Sequence, residues 1–136
     1  MRSYNLFISH SWAYSENYDR LINLLEGRRH FKFRDYSVPK DDPIHTNGTD
    51  AQLYKAILQK MGPCSVVIIL AGVYATYSKW IKQEIKIANE EFYIPKSIIA
   101  IEPWGSERTS QIVKDNADRI VGWNTESIVS AIRELV

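Results

Sequence analysis

The apolar positions of this chain follow two alternating rhythms. Short continuous runs, clearest in Val66-Val67-Ile68-Ile69-Leu70-Ala71, alternate with longer segments whose apolar residues recur every three to four positions. The first pattern predicts strands buried on both faces, and the second predicts amphipathic helices. Strands are expected at residues 4–9, 31–35, 64–71, 97–101 and 119–122, the last being weak. Helices are expected at about 12–26, 49–61, 78–92, 106–115 and 126–135. Strand-helix alternation at this spacing implies right-handed βαβ units. The predicted fold is therefore α/β, a flavodoxin-like five-stranded parallel sheet in the order 2-1-3-4-5 with helices on both faces.

Several helix ends are written in the sequence. Thr49-Asp50-Ala51-Gln52 has the form of a capping box, with Gln52 placed to reach back to the cap. Leu53, Ile57 and Met61 then repeat at helical spacing, and Gly62-Pro63 stops the helix. On the next helix Ile81, Ile85, Ala88 and Phe92 make a core-facing stripe. Trp80 and Glu84 stand four residues apart, indole above carboxylate, and are expected to flank that stripe where it meets solvent or a cleft. Taken alone, such a pair reads as a core aromatic beside a solvated carboxylate. Residues 36–48 hold Pro39, Pro43, Asn47 and Gly48 without periodicity and read as a long loop.

Composition narrows the class. A chain of 136 residues reads as one domain, 1–136, and an apolar share of 45% supplies a proper core. Seventeen basic residues against sixteen acidic ones leave no phosphate-tracking surface, so neither nucleic acid nor an anionic membrane is an expected partner. Met1 runs straight into the first strand without a leader pattern, and no apolar run approaches the roughly 18 residues of a membrane span. The expected setting is soluble and cytoplasmic. The single Cys64 excludes an internal disulfide or a multi-cysteine metal site and reads as a core thiol.

In a parallel sheet of this order, ligands bind beyond the carboxyl ends of the strands. The first strand delivers Ser9, His10, Ser11 and Trp12 to that rim, the second Asp35, Tyr36 and Ser37, and the third leads toward Tyr74, Tyr77, Trp80 and Glu84. Aromatic rings and hydroxyls beside a carboxylate suit a nucleotide or a sugar, since bases stack and carboxylates accept from ribose hydroxyls. Plainer roles are open for several of these residues. His10 suits a surface or capping position, Ser11 an N-cap, and Asp35 with Ser37 the start of a turn. Neither a dinucleotide-binding glycine fingerprint nor a P-loop is present. A nucleophile elbow and metal-ligand spacing are also missing.

Three segments together resemble one family. Tyr4-Asn5-Leu6-Phe7-Ile8-Ser9-His10-Ser11 is similar to the first-strand motif of TIR domains. Ser78-Lys79-Trp80-Ile81-Lys82-Gln83-Glu84-Ile85 resembles their Trp-x-x-x-Glu motif, and Phe33-Arg34-Asp35-Tyr36-Ser37-Val38-Pro39 the second-strand motif of the prokaryotic TIR-like branch that includes the Thoeris antiphage protein ThsB. The resemblance spans essentially the whole chain. It implies that Glu84 is the NAD-cleaving residue with Trp80 as its companion. It also implies that Ser9, His10, Ser11, Trp12, Asp35, Tyr36 and Ser37 line the nucleotide pocket. NAD would be the substrate, with no further cofactor, and residues 38–48 would form the loop that gates the site and contacts another copy or a partner protein.

Cleavage of the nicotinamide–ribose bond passes through an oxocarbenium-like transition state, which one carboxylate in an aromatic cleft can stabilise. Three readings follow. The first is an NAD-consuming enzyme yielding nicotinamide and a linear or cyclic ADP-ribose that serves as a defence signal. The second is a non-catalytic interaction module on the same fold. The third, a nucleoside deoxyribosyltransferase-like enzyme, needs a partner Asp for the nucleobase, and none stands out.

Overall fold

The computed structural model describes residues 3–9, 16–37, 49–70, 79–102 and 111–136, and of residues 16, 17, 79 and 80 the backbone alone. Five strands, β1 (Ser3–Ser9), β2 (Lys32–Asp35), β3 (Val66–Leu70), β4 (Ser97–Ile101) and β5 (Arg119–Val121), form one sheet in the order β2-β1-β3-β4-β5. Every neighbouring pair is parallel. The α/β fold and the 2-1-3-4-5 order are those expected from the sequence.

The helices divide between the two faces. Helices α2 (Asp50–Met61), α3 (Lys79–Glu90) and α4 (Gln111–Asn116) cover the face that carries Phe7, Val67, Ile69, Ile98 and Ala100. The opposite face, with Leu6, Ile8, Ile68, Ile99 and Ile101 among others, is covered by α1 (Glu16–Glu26) and α5 (Thr125–Leu135). Alternate residues of a strand thus serve different layers. All five residues of β3 are buried, as a central strand packed on both sides requires.

The capping box at Thr49 forms in both directions: Gln52 N–H donates to Thr49 Oγ1 at 3.1 Å, and Thr49 N–H donates to Gln52 Oε1 at 2.8 Å. Gly62 keeps right-handed dihedrals, so this helix stops at Pro63, which has no N–H to offer, without using glycine's conformational freedom. β3 begins at Val66, with the apolar run itself and two residues later than the expected strand 64–71. The Cys64 N–H still bonds back to Met61 O, and only at Ser65, whose N–H reaches Asn5 O, does the chain join the sheet. α5 is capped by Asn124, whose side chain accepts from Ser127 N–H at 3.0 Å. Cys64 is buried, bonds to Lys60 O, and burial pushes its thiol up to about 12. It is a packing residue.

The strand order reverses between β1 and β3. β1 leads outward to β2, whereas β3 leads the other way to β4 and β5, so a crevice belongs at the carboxyl ends of β1 and β3.

Candidate functional site

Three polar side chains are buried among the described residues: Ser9, Ser37 and Glu84. Ser9 closes β1, Ser37 lies two residues past the end of β2, and Glu84 sits in the second turn of α3, the helix that follows β3. Burying a polar group is costly unless it is hydrogen-bonded, so a fold that collects its buried polar side chains at one rim marks that rim.

Glu84 departs from expectation in one respect. It does not flank the core stripe but lies inside it, with 8% of its surface exposed. The reason is helical geometry. Ile81, Glu84, Ile85 and Ala88 stand at i, i+3, i+4 and i+7, which is a single core-facing stripe. Its three apolar members are at most 3% exposed. The neighbouring Gln83 turns outward instead and borders an open groove of about 770 Å³ that Tyr54, Lys55 and Leu58 of α2 also line.

Burial pushes the Glu84 carboxyl up to about 8, from an ordinary 4.5. Ser9 acts in the opposite direction, close enough to favour the charged form. The two residues share a face: Ser9 follows Phe7 by two positions and so points to the same layer, which is the layer of α3. Even so, Ser9 Oγ and Glu84 Oε2 are both buried without a partner of hydrogen-bond geometry. Ser9 itself is 2% exposed.

Tyr36 packs half-buried against the same core as Ile81 and Ile85 and so belongs to the Glu84 side of the sheet. Asp35 does not. Its Oδ2 accepts from the Tyr18 hydroxyl of α1, on the opposite face, and its Oδ1 accepts from Ser37 N–H at 2.9 Å and Ser37 Oγ–H at 2.5 Å. Ser37 Oγ in turn accepts from Ile8 N–H at 3.2 Å. Asp35 and Ser37 therefore brace the end of β2 against β1 and α1. Sequence reasoning missed Tyr18, because nothing local links residues 18 and 35; only the fold brings them together. His10, Ser11 and Trp12 lie outside the described residues, as do the loop 38–48 and Tyr74 and Tyr77. Trp80 lies in the first turn of α3, one turn before Glu84.

The family model for the TIR-like domain of the Thoeris protein ThsB matches residues 7–108. The chain belongs to this family. The matched span of this TIR-like domain runs from β1 past β4 and contains every residue discussed at the rim. No curated protein matches the chain significantly. Among the described residues, no three His, Cys, Asp or Glu side chains come together as a metal site would need, and no helix is long and apolar enough to cross a membrane.

Proposed function

We propose that this TIR-like domain is an NAD-consuming enzyme of Thoeris antiphage defence. It cleaves the nicotinamide–ribose bond and yields nicotinamide and an ADP-ribose signal, in cyclic form. The supporting observation is Glu84: a carboxyl buried in an apolar helix stripe, with one oxygen unpartnered, at the switch point of the sheet. A purely structural helix would place an apolar residue there.

In the proposed reaction the C1′–N bond breaks and its electron pair goes to the nicotinamide nitrogen, which loses its positive charge and leaves neutral. C1′ becomes oxocarbenium-like and is captured by water, with release of a proton, or by a nucleophile of the same molecule in cyclisation. Glu84 acts as a carboxylate that stabilises the developing positive charge and orients the ribose hydroxyls. In the free protein at neutral pH its burial favours the protonated form. The cationic nicotinamide of a bound substrate favours ionisation, because an opposite charge nearby stabilises the charged form. The site is thus set to acquire its charge together with its substrate.

Tyr36 and Trp80 supply the aromatic walls in this reading, and Ser9, His10, Ser11 and Trp12 the rim of β1. Asp35 and Ser37 hold β2 in place, and residues 38–48 meet another copy or a partner protein. The test is incubation with NAD, with and without a crowding agent, followed by mass analysis. Nicotinamide together with an ADP-ribose product supports the reading. No nicotinamide under either condition removes it and leaves the non-catalytic interaction module.

A further inference from the structure

Ser9 is harder to explain structurally than Glu84. A serine hydroxyl buried without a partner is costly relative to one that is satisfied. Alanine at the same place would pack without that cost. The Ser9 backbone is already provided for, since β1 pairs with β3 through the Ser9–Ile69 register. The side chain is therefore unused by the fold, fully enclosed, and turned toward the layer that holds the other orphaned oxygen, Glu84 Oε2.

We propose that Ser9 is the positioning residue for Glu84, its hydroxyl donating to the ionised carboxylate and fixing the oxygen that faces the substrate. This rests on the proposed catalytic reading of Glu84 for its consequence in turnover, but not for the interaction itself. Among the described residues, Ser9 is the side chain that favours the charged form of Glu84. The described titratable groups on the elements packed around it give no comparable help. Asp35 ends β2 and is turned to α1. Asp50 and Lys55 of α2, Lys82, Lys86 and Glu90 of α3 and Asp115 of α4 are exposed, and Tyr36, Tyr54 and Lys114 are only partly buried. When the carboxyl is protonated, the pair idles. When it ionises, the serine proton turns to it, and a charge-assisted hydrogen bond forms where both partners were unsatisfied.

Two readouts separate this from a packing role. The first needs no activity: carboxyl-carbon NMR titration of Glu84 in the free protein, its signal identified by loss in Glu84→Gln. A hydrogen bond to a charged group is worth about 1.5–3 kcal/mol, so Ser9→Ala should raise the titration midpoint by about one to two pH units. Ser9→Thr, which keeps the hydroxyl, should hold the wild-type midpoint, while the isosteric Ser9→Val should shift as Ser9→Ala does. The Thr/Val pair decides the matter should Ser9→Ala fail to fold. The second readout is kcat/KM for nicotinamide release against pH. Ser9→Ala should lose roughly tenfold or more at pH 7 and recover toward wild type near pH 10, again with Ser9→Thr unaffected. An unmoved NMR midpoint in Ser9→Ala, or equal midpoints in the Thr and Val variants, overturns the proposal. A shifted midpoint in a protein that never releases nicotinamide upholds the pairing and removes only the catalytic reading.

Discussion

The Ser37 hydroxyl accepts a hydrogen bond from the Ile8 backbone N–H at 3.2 Å, at a point where β2 has already ended. The β1–β2 register runs only to Leu6 and Asp35, with Tyr36 N–H still reaching Leu6 O. One step further the sheet has no strand to offer Ile8, and a side chain takes the strand's place. Ser37 stays in position because Asp35 Oδ1 receives both its N–H and its hydroxyl proton. The end of β1, where Ser9 follows at once, is thus built on a relay from Asp35 through Ser37.

Removing that relay has a foreseeable cost. Ser37→Ala leaves the buried Ile8 N–H unpaired, which should destabilise the protein by about 1–3 kcal/mol in urea denaturation. Asp35→Asn keeps an acceptor oxygen for Ser37 and should cost less. Equal stability of Ser37→Ala and wild type would show that water or another group serves Ile8.

Glu84 makes stability depend on pH. Its folded-state pKa is raised, so the native state binds more protons than the unfolded chain between about 4.5 and 8. The contribution of the protonated group is fully present below 4.5 and is lost as pH rises through 8. Each unit of that window is worth about 1.4 kcal/mol at most. Glu84→Gln removes the titration. The variant should therefore match wild type near pH 4.5 and become the more stable of the two by about 2–4 kcal/mol at pH 7. Thermal melts at several pH values check this, and a wild-type curve parallel to that of Glu84→Gln would contradict it.

Its neighbour behaves in the opposite way. Ile81 is one turn away in the same stripe and 2% exposed. Ile81→Ala should destabilise by about 2–5 kcal/mol at every pH, because the loss is one of packing. Denaturant midpoints at pH 5 and pH 8 should shift alike.

The sheet was legible because its signals are strong and local. Val66–Leu70 reads as a doubly buried strand from composition alone, and Thr49 with Gln52 specifies a helix start that forms as written. The geometry of the candidate site was legible only in part. The spacing of Trp80 and Glu84 put them on one helix face, but a charged residue is assumed to face water. Counting Glu84 as a member of the Ile81-Ile85-Ala88 stripe, not as its flank, was the signal available in the sequence. The separation of Asp35 from Glu84 onto opposite faces was also readable in principle. Strand parity sends Asp35 with Phe33 to the α1 side and Tyr36 to the other. The Tyr18–Asp35 contact, between residues far apart in sequence, needed the fold.

A catalytic Glu84 also predicts how activity varies with pH. If its carboxylate is the working form, kcat/KM for nicotinamide release should rise through a midpoint near 8 and then level off, since that profile reports the free enzyme. kcat should turn over at a lower pH, because bound cationic nicotinamide favours ionisation. A profile that falls between pH 7 and pH 9 would assign Glu84 to proton donation instead.

The most direct measurement of the central claim is nicotinamide release from NAD by wild type and Glu84→Gln side by side at pH 9, where the wild-type carboxyl is ionised. Glutamine keeps the shape of the side chain and removes only its charge. The expected result is that wild type releases nicotinamide, while Glu84→Gln, at least as stable in the thermal melt, loses nearly all of it. Nicotinamide release by Glu84→Gln at the wild-type rate would contradict the assignment of Glu84 as the catalytic carboxylate.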